Sequence, residues 1–216
     1  MINRYRIAIA GACVLFAAAS RLPAQGNTAE IAGGFSYAKA NPDTPLPRVG
    51  MSGWAVGASG YANNWLGAGF EVAGQFGSLG APSSSGLSGT ALNVKEYSYM
   101  VGPQLRFLNT ARVQSSVRWL IGGVFGQANL PSTRSSADIQ ALAAAGYNPS
   151  NETKLAMMFA VPVDVSLNRL IALRFEPGLY MTGFAPQAGG GSVAANQHQW
   201  NFRFMVGPVF RFGKGK

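Results

Sequence analysis

A single cysteine and a single histidine occur in 216 residues, and only 12% of the chain is charged. The cysteine, Cys13, lies in the first 24 residues, so the remainder has neither disulfides nor a thiolate metal site. His198 has no second histidine or cysteine with which to hold a metal, and reads as a loop or interfacial residue. No serine–histidine–acid set, phosphate-binding glycine loop or metal-ligand spacing is present. No catalytic residue, metal or cofactor is therefore expected, and the chain does not read as an enzyme. The scarcity of charge excludes more, because a well-solvated surface carries about 25–35% acidic and basic residues. Long apolar runs are also missing. The one at residues 7–20 is short for a helical span, and no stop-transfer charges follow it.

That run fits a secretory signal. Arg4 and Arg6 give the positive start, and Leu22-Pro23-Ala24 places a small residue before a cut after Ala24. A lipoprotein site at Ala10-Gly11-Ala12-Cys13 fits less well, since the apolar stretch continues past it. Residues 1–24 are thus read as a signal peptide and 25–216 as one domain. Without Arg4, Arg6 and Arg21 the chain keeps 14 basic against 8 acidic residues, a net +6. Most of these charges fall singly, not in a patch, so no nucleic-acid partner is expected.

What the chain does have is alternation. Eight runs between Glu30 and Gly213 alternate between two unlike sets. In residues 66–76, Leu66, Ala68, Phe70, Val72, Gly74 and Phe76 form one set; Gly67, Gly69, Glu71, Ala73 and Gln75 form the other. Period two means a strand with two faces. The strands predicted are 29–39, 51–62, 65–77, 94–107, 112–128, 154–166, 170–184 and 198–213. Three connections (63–64, 108–111 and 167–169) are short and carry Asn, whose tolerance of left-handed backbone suits tight hairpins. The other four (40–50, 78–93, 130–153 and 185–197) are long. Short and long connections alternate strictly, so all turns lie at one end and all loops at the other. An even strand count puts both termini at the turn end.

One face is bulky and apolar throughout, while the other carries glycines, small polar groups and single charges. The pattern predicts an all-β fold: an eight-stranded antiparallel up-and-down transmembrane β-barrel with short periplasmic turns and long extracellular loops. A soluble calyx also alternates, with its faces reversed. Its exterior would need more charge and less glycine, and an eight-strand interior could not hold so much bulk. Aromatics gather near strand ends as in an interfacial girdle: Tyr37, Trp54, Tyr61, Trp65, Tyr97, Tyr99 and Trp200, with Phe107, Phe210 and Phe212. Outer-membrane lipid is the partner this implies, around a monomer. Lys95, at a strand end, is the one charge on the apolar face.

Residues 101–107 (VGPQLRF) echo 206–212 (VGPVFRF). A bulge at Pro103 and Pro208 with an inward Arg, or an ancestral hairpin duplication, would each explain the repeat.

Gly53-Trp54-Ala55-Val56 leading to Asn64-Trp65-Leu66-Gly67, then Tyr99-Met100-Val101-Gly102-Pro103, and the closing residues 202–212 resemble the small eight-stranded outer-membrane barrels. These are the OmpA-like transmembrane domain and its stand-alone relatives, and the likeness covers residues 29–213. It implies that the last strand, with Phe204, Phe210 and the terminal aromatic Phe212, is read by the barrel-assembly machinery. Gly213-Lys214-Gly215-Lys216 departs from that pattern, where a final Phe is usual. No peptidoglycan-binding domain is expected after the barrel.

Candidate site residues are the inward charges Glu30, Glu71, Glu96, Arg106, Arg112, Arg118, Asp164, Arg174, Glu176, Arg203 and Arg211. Glu30, Arg106, Arg112, Asp164 and Arg211 sort to the turn-end mouth, and Glu71, Arg118, Arg174, Glu176 and Arg203 to mid-barrel. Unpaired charges in a narrow lumen are costly, so they should pair. They would form either a salt-bridged plug or a gated ion path in which Glu71 or Glu176 changes partner. In the third long loop, Ser135 to Asp138 begin a short helix through Ala145, stopped by Gly146, with Ile139 and Leu142 on one face. It is a lid or a contact site. The function expected is structural or surface-interactive, with a narrow pore as the alternative.

Overall fold

The computed structural model describes residues 29–40, 48–81, 85–145, 149–183 and 199–213. Its strand segments are β1 (Ala29–Ala40), β2 (Val49–Tyr61), β3 (Leu66–Gly80), β4 (Thr90–Asn109), β5 (Val113–Asn129), β6 (Ser150–Ala160), β7 (Val163–Ser166), β8 (Ile171–Thr182) and β9 (Gln199–Phe212). A helix, α1 (Ser136–Ala144), precedes β6. Residues 1–24 with Cys13, the 185–197 loop, Gly146, His198 and 214–216 lie outside the described residues.

Every pairing is antiparallel, and β9 returns to β1, closing a ring. β6 and β7 are one crossing. Ala160 stands opposite Arg118 and Gly178, and Val163 opposite Ser115 and Phe175, in unbroken register on both sides. The interruption falls at Pro162, which has no amide hydrogen for the ladder. The wall therefore has the eight crossings expected.

One rung followed around the ring runs Ala32, Gly57, Glu71, Met100, Gly122, Ala156, Thr182, Gln199. Ala32 itself pairs with Val209, ten residues past Gln199. That stagger tilts the strands, and with eight of them the interior is just wide enough for side chains to fill. Close packing shows at two glycines of the sequence echo. A Cβ on Gly102 would strike the Trp119 carbonyl, and one on Gly207 the Gly33 carbonyl. Here only glycine lets one strand lie against the next. The prolines beside them, Pro103 and Pro208, sit in unshifted register. The bulge expected there is absent; the register shifts of β4 lie between Arg106 and Leu108 and opposite Leu79 and Gly80.

Two further expectations are corrected. No described residue other than glycine has positive φ, so the turn asparagines do not supply left-handed backbone. Instead the Asn63 side-chain oxygen accepts from the amides of Trp65 and Leu66, and that of Asn168 from Leu170 and Ile171. These are side-chain mimics of a backbone turn. The strands also climb further at the loop end than predicted. β3 runs to Gly80 and β4 starts at Thr90 because Leu79 and Leu92 pair and are buried together.

Candidate functional site

The alternation sorts side chains inward and outward. Arg118 is 1% exposed, while its chain neighbour Trp119 is 56% exposed. Pairing across the ring then brings nine of the eleven candidate charges into two joined clusters; Glu96 is buried but forms no ion pair with a described cation.

The cluster at the turn end centres on Glu30. Its carboxylate accepts from Arg106 at 2.8 Å and Arg174 at 3.2 Å, with Arg211 at 3.4 Å. Asp164 takes Nε and Nη2 of Arg174 at 2.7 and 2.9 Å, and Arg211 at 3.2 Å. Two planar donors on one carboxylate give a geometry that lysine could not reproduce. Beyond it, Arg118 reaches Glu176 at 2.9 Å and Glu71 at 3.5 Å, and Arg203 reaches Glu71 at 2.5 Å. The sequence sorts Arg174 to mid-barrel, but its contacts belong mainly to the turn-end cluster, and a 3.8 Å approach to Glu176 links the two.

Neutral groups that the sequence reading passed over fill the gaps. Gln104 donates to Tyr61 and Ser116 and accepts from Ser59. Gln75 donates to Ser36, which also accepts from Arg203 Nε at 3.3 Å. Their signal was available: Gln75 falls at the lumen parity of Glu71, and Gln104 at that of Arg106.

No protein-family model matches the chain, and no curated protein does. Solved structures do. Neisserial surface protein A superposes with a TM-score of 0.59 at 13% identity, over 88% of this chain and 99% of its own. Ail, the attachment invasion locus protein of Yersinia pestis, gives 0.54 at 14% identity, over 87% and 100%. A major outer membrane protein of Thermus thermophilus gives 0.50 at 12%, over 86% and 99%. This chain has the fold of the small eight-stranded outer-membrane barrels.

Seen as an outer-membrane barrel, two expected residues change place. Tyr61 is not part of an outer girdle. It is 2% exposed, bonded to Gln104, with the Arg106 guanidinium 3.7 Å from its ring centre. A tyrosine combines an apolar body with a polar tip, so it suits a lumen as well as an interface. Arg112 does not reach the lumen; it sits exposed in the second hairpin turn, and its backbone carbonyl accepts from Ser166. The girdle candidates Tyr37, Trp54, Tyr97, Tyr99 and Trp200 are exposed on the barrel's outer wall, as are Phe210 and Phe212; Trp65 is exposed in the turn before β3, and Phe204 is half-buried.

The loop helix has the predicted start: Ser135 and Asp138 form a reciprocal capping box. Its two apolar residues part company. Leu142 is buried among Ala38, Met51, Leu79 and Leu92 at the barrel's loop end, while Ile139 is exposed.

Proposed function

We propose that the chain is an exported outer-membrane protein, cleaved after residue 24, that spans the bilayer as a monomer. Paired charges close its lumen, and its role is structural or surface-interactive through the extracellular loops. The observation that carries this reading is the buried network of Glu30, Glu71, Asp164 and Glu176 with Arg106, Arg118, Arg174, Arg203 and Arg211. Buried guanidinium and carboxylate groups at such distances occupy the interior and resist hydration, because separating any pair strands a charge. The apolar outer wall meets lipid, and Phe204, Phe210 and Phe212 on the closing strand present the assembly signal to the barrel-assembly machinery.

Planar-bilayer recording of the purified protein tests the closed lumen. No stable unitary openings are expected; reproducible single-channel steps would overturn it in favour of the narrow pore. One contact favours that second reading. Arg118 lies between two acids, at 2.9 Å from Glu176 and 3.5 Å from Glu71, an arrangement from which partner exchange could open a path.

A further inference from the structure

The two ends of the barrel differ in charge. Of the eight acidic residues, five are buried within the ring. Asp43 falls in the first long connection of the sequence, and Asp138 and Glu152 lie at the loop end. Among the described residues, no acid is exposed at the turn end. Arg112, between β4 and β5, and Arg169, between β7 and β8, are exposed there. Neither forms an ion pair with any described residue. The buried cluster nearest them adds to the imbalance, with Arg106, Arg174 and Arg211 against Glu30 and Asp164.

The ladder makes the two turns neighbours. β5 pairs with β7, and the Ser166 amide, three residues before Arg169, donates to the Arg112 carbonyl at 2.8 Å. On the other side, the carbonyl of Leu170 accepts from the Arg211 amide of β9 at 2.8 Å. The Asn168 side chain closes the β7–β8 turn by accepting from the amides of Leu170 and Ile171. So short a turn keeps its cation close to the wall. Apolar residues flank both arginines: Phe107 and Leu108 precede the first, and Leu167 and Leu170 bracket the second, all of them exposed. They carry the apolar wall down to its edge. A cation at the edge of an apolar belt stands where acyl chains give way to headgroups.

We propose that this rim binds the headgroup phosphates of anionic phospholipid in the periplasmic leaflet, through Arg112 and Arg169. Such binding rests on the reading above that the outer wall meets lipid, and adds which lipid it selects. A guanidinium presents its donors in a planar fork that fits phosphate oxygens, and no exposed acid at this end competes for either fork. Each basic residue held at an anionic bilayer surface favours that surface about fivefold. Both arginines sit too near the wall to serve a polymer standing away from the membrane.

Lipid selectivity around the folded barrel tests the rim. Replacing the four tryptophans by phenylalanine and adding Leu167→Trp places one fluorophore beside Arg169. The chain is folded into phosphatidylcholine vesicles that contain brominated phosphatidylcholine or brominated phosphatidylglycerol as quencher. Phosphatidylglycerol is expected to associate at least about fivefold more strongly than phosphatidylcholine at this probe. Arg112→Gln with Arg169→Gln brings the ratio close to one, while Arg112→Lys with Arg169→Lys keeps most of it. Should the glutamine pair fail to fold, Arg169→Gln alone is expected to lower the ratio about fivefold. A ratio near one before any arginine is changed would overturn the proposal, as would a preference that survives the glutamine pair. Loss of the preference to inorganic phosphate at constant ionic strength would also overturn it, because the arginines would then take free phosphate. If neither brominated lipid quenches the probe, the wall does not face the bilayer and the reading above falls as well.

Discussion

Arg174 grips both carboxylate oxygens of Asp164, at 2.7 and 2.9 Å, and the two residues are direct partners in the β7–β8 ladder. The same guanidinium lies 3.2 Å from Glu30 and 3.8 Å from Glu176. It therefore links the two charge clusters, and the hairpin register fixes where it stands.

Removing it takes from Asp164 its bidentate partner and from Glu30 and Glu176 one cation each. Arg174→Gln is expected to cost about 3–5 kcal/mol, the range for breaking a buried pair from one side. Adding Asp164→Asn to Arg174→Gln should recover part of that loss, because the carboxylate deprived of its bidentate partner is then gone. Urea unfolding from lipid vesicles measures both. An effect under about 1 kcal/mol for the single change would show that water reaches the cluster.

The outer wall gives a prediction of opposite chemistry. Ile121 is the central residue of β5 and is exposed on the apolar face. Ile121→Arg should destabilise the barrel by about 2–4 kcal/mol, as for a cation at the bilayer midplane. On a wall facing water the same change would be nearly neutral, and unfolding from vesicles separates the two.

Glycine at two points is a packing requirement. Gly102→Ala or Gly207→Ala drives a methyl group into a neighbouring carbonyl, with an expected penalty of about 1–3 kcal/mol. Gly60→Ala, where a Cβ meets nothing within 4 Å, should be tolerated. Heat-modifiable gel migration reports the folded fraction of each.

The hairpin asparagines distinguish two kinds of turn. Since Asn63 and Asn168 act through their side-chain oxygens at negative φ, Asn→Gly should destabilise each turn by about 0.5–1.5 kcal/mol per hydrogen bond lost. Asn→Asp should be well tolerated. A left-handed turn would show the reverse order, with glycine preferred.

The fold was legible in the sequence because a two-residue period leaves each strand only two ways to face, and bulky residues decide between them. Trp119 against Arg118 and Phe204 against Arg203 carry that decision. The misplacement of Tyr61 had a remedy in the same rule, since an outward Trp54 puts position 61 on the inner face. Arg112 lay at a boundary, where alternation ends and the turn takes over. Strand ends at Gly80 and Thr90 were hidden because Leu79 and Leu92 pair only under the cap provided by Leu142, a residue some 50 positions further on. Pair partners were beyond reach for a related reason. Which acid meets which arginine depends on the ten-residue stagger of the closed ring, and no single strand encodes it.

All four tryptophans are exposed on the outer wall or at the turn end: Trp54, Trp65, Trp119 and Trp200. A variant keeping only Trp119, folded into vesicles, puts the orientation of the wall to the test through its fluorescence. Lipids brominated near mid-chain should quench it strongly, and aqueous acrylamide should scarcely touch it. Quenching by acrylamide with indifference to brominated lipid would contradict an apolar wall facing the bilayer and a charged interior.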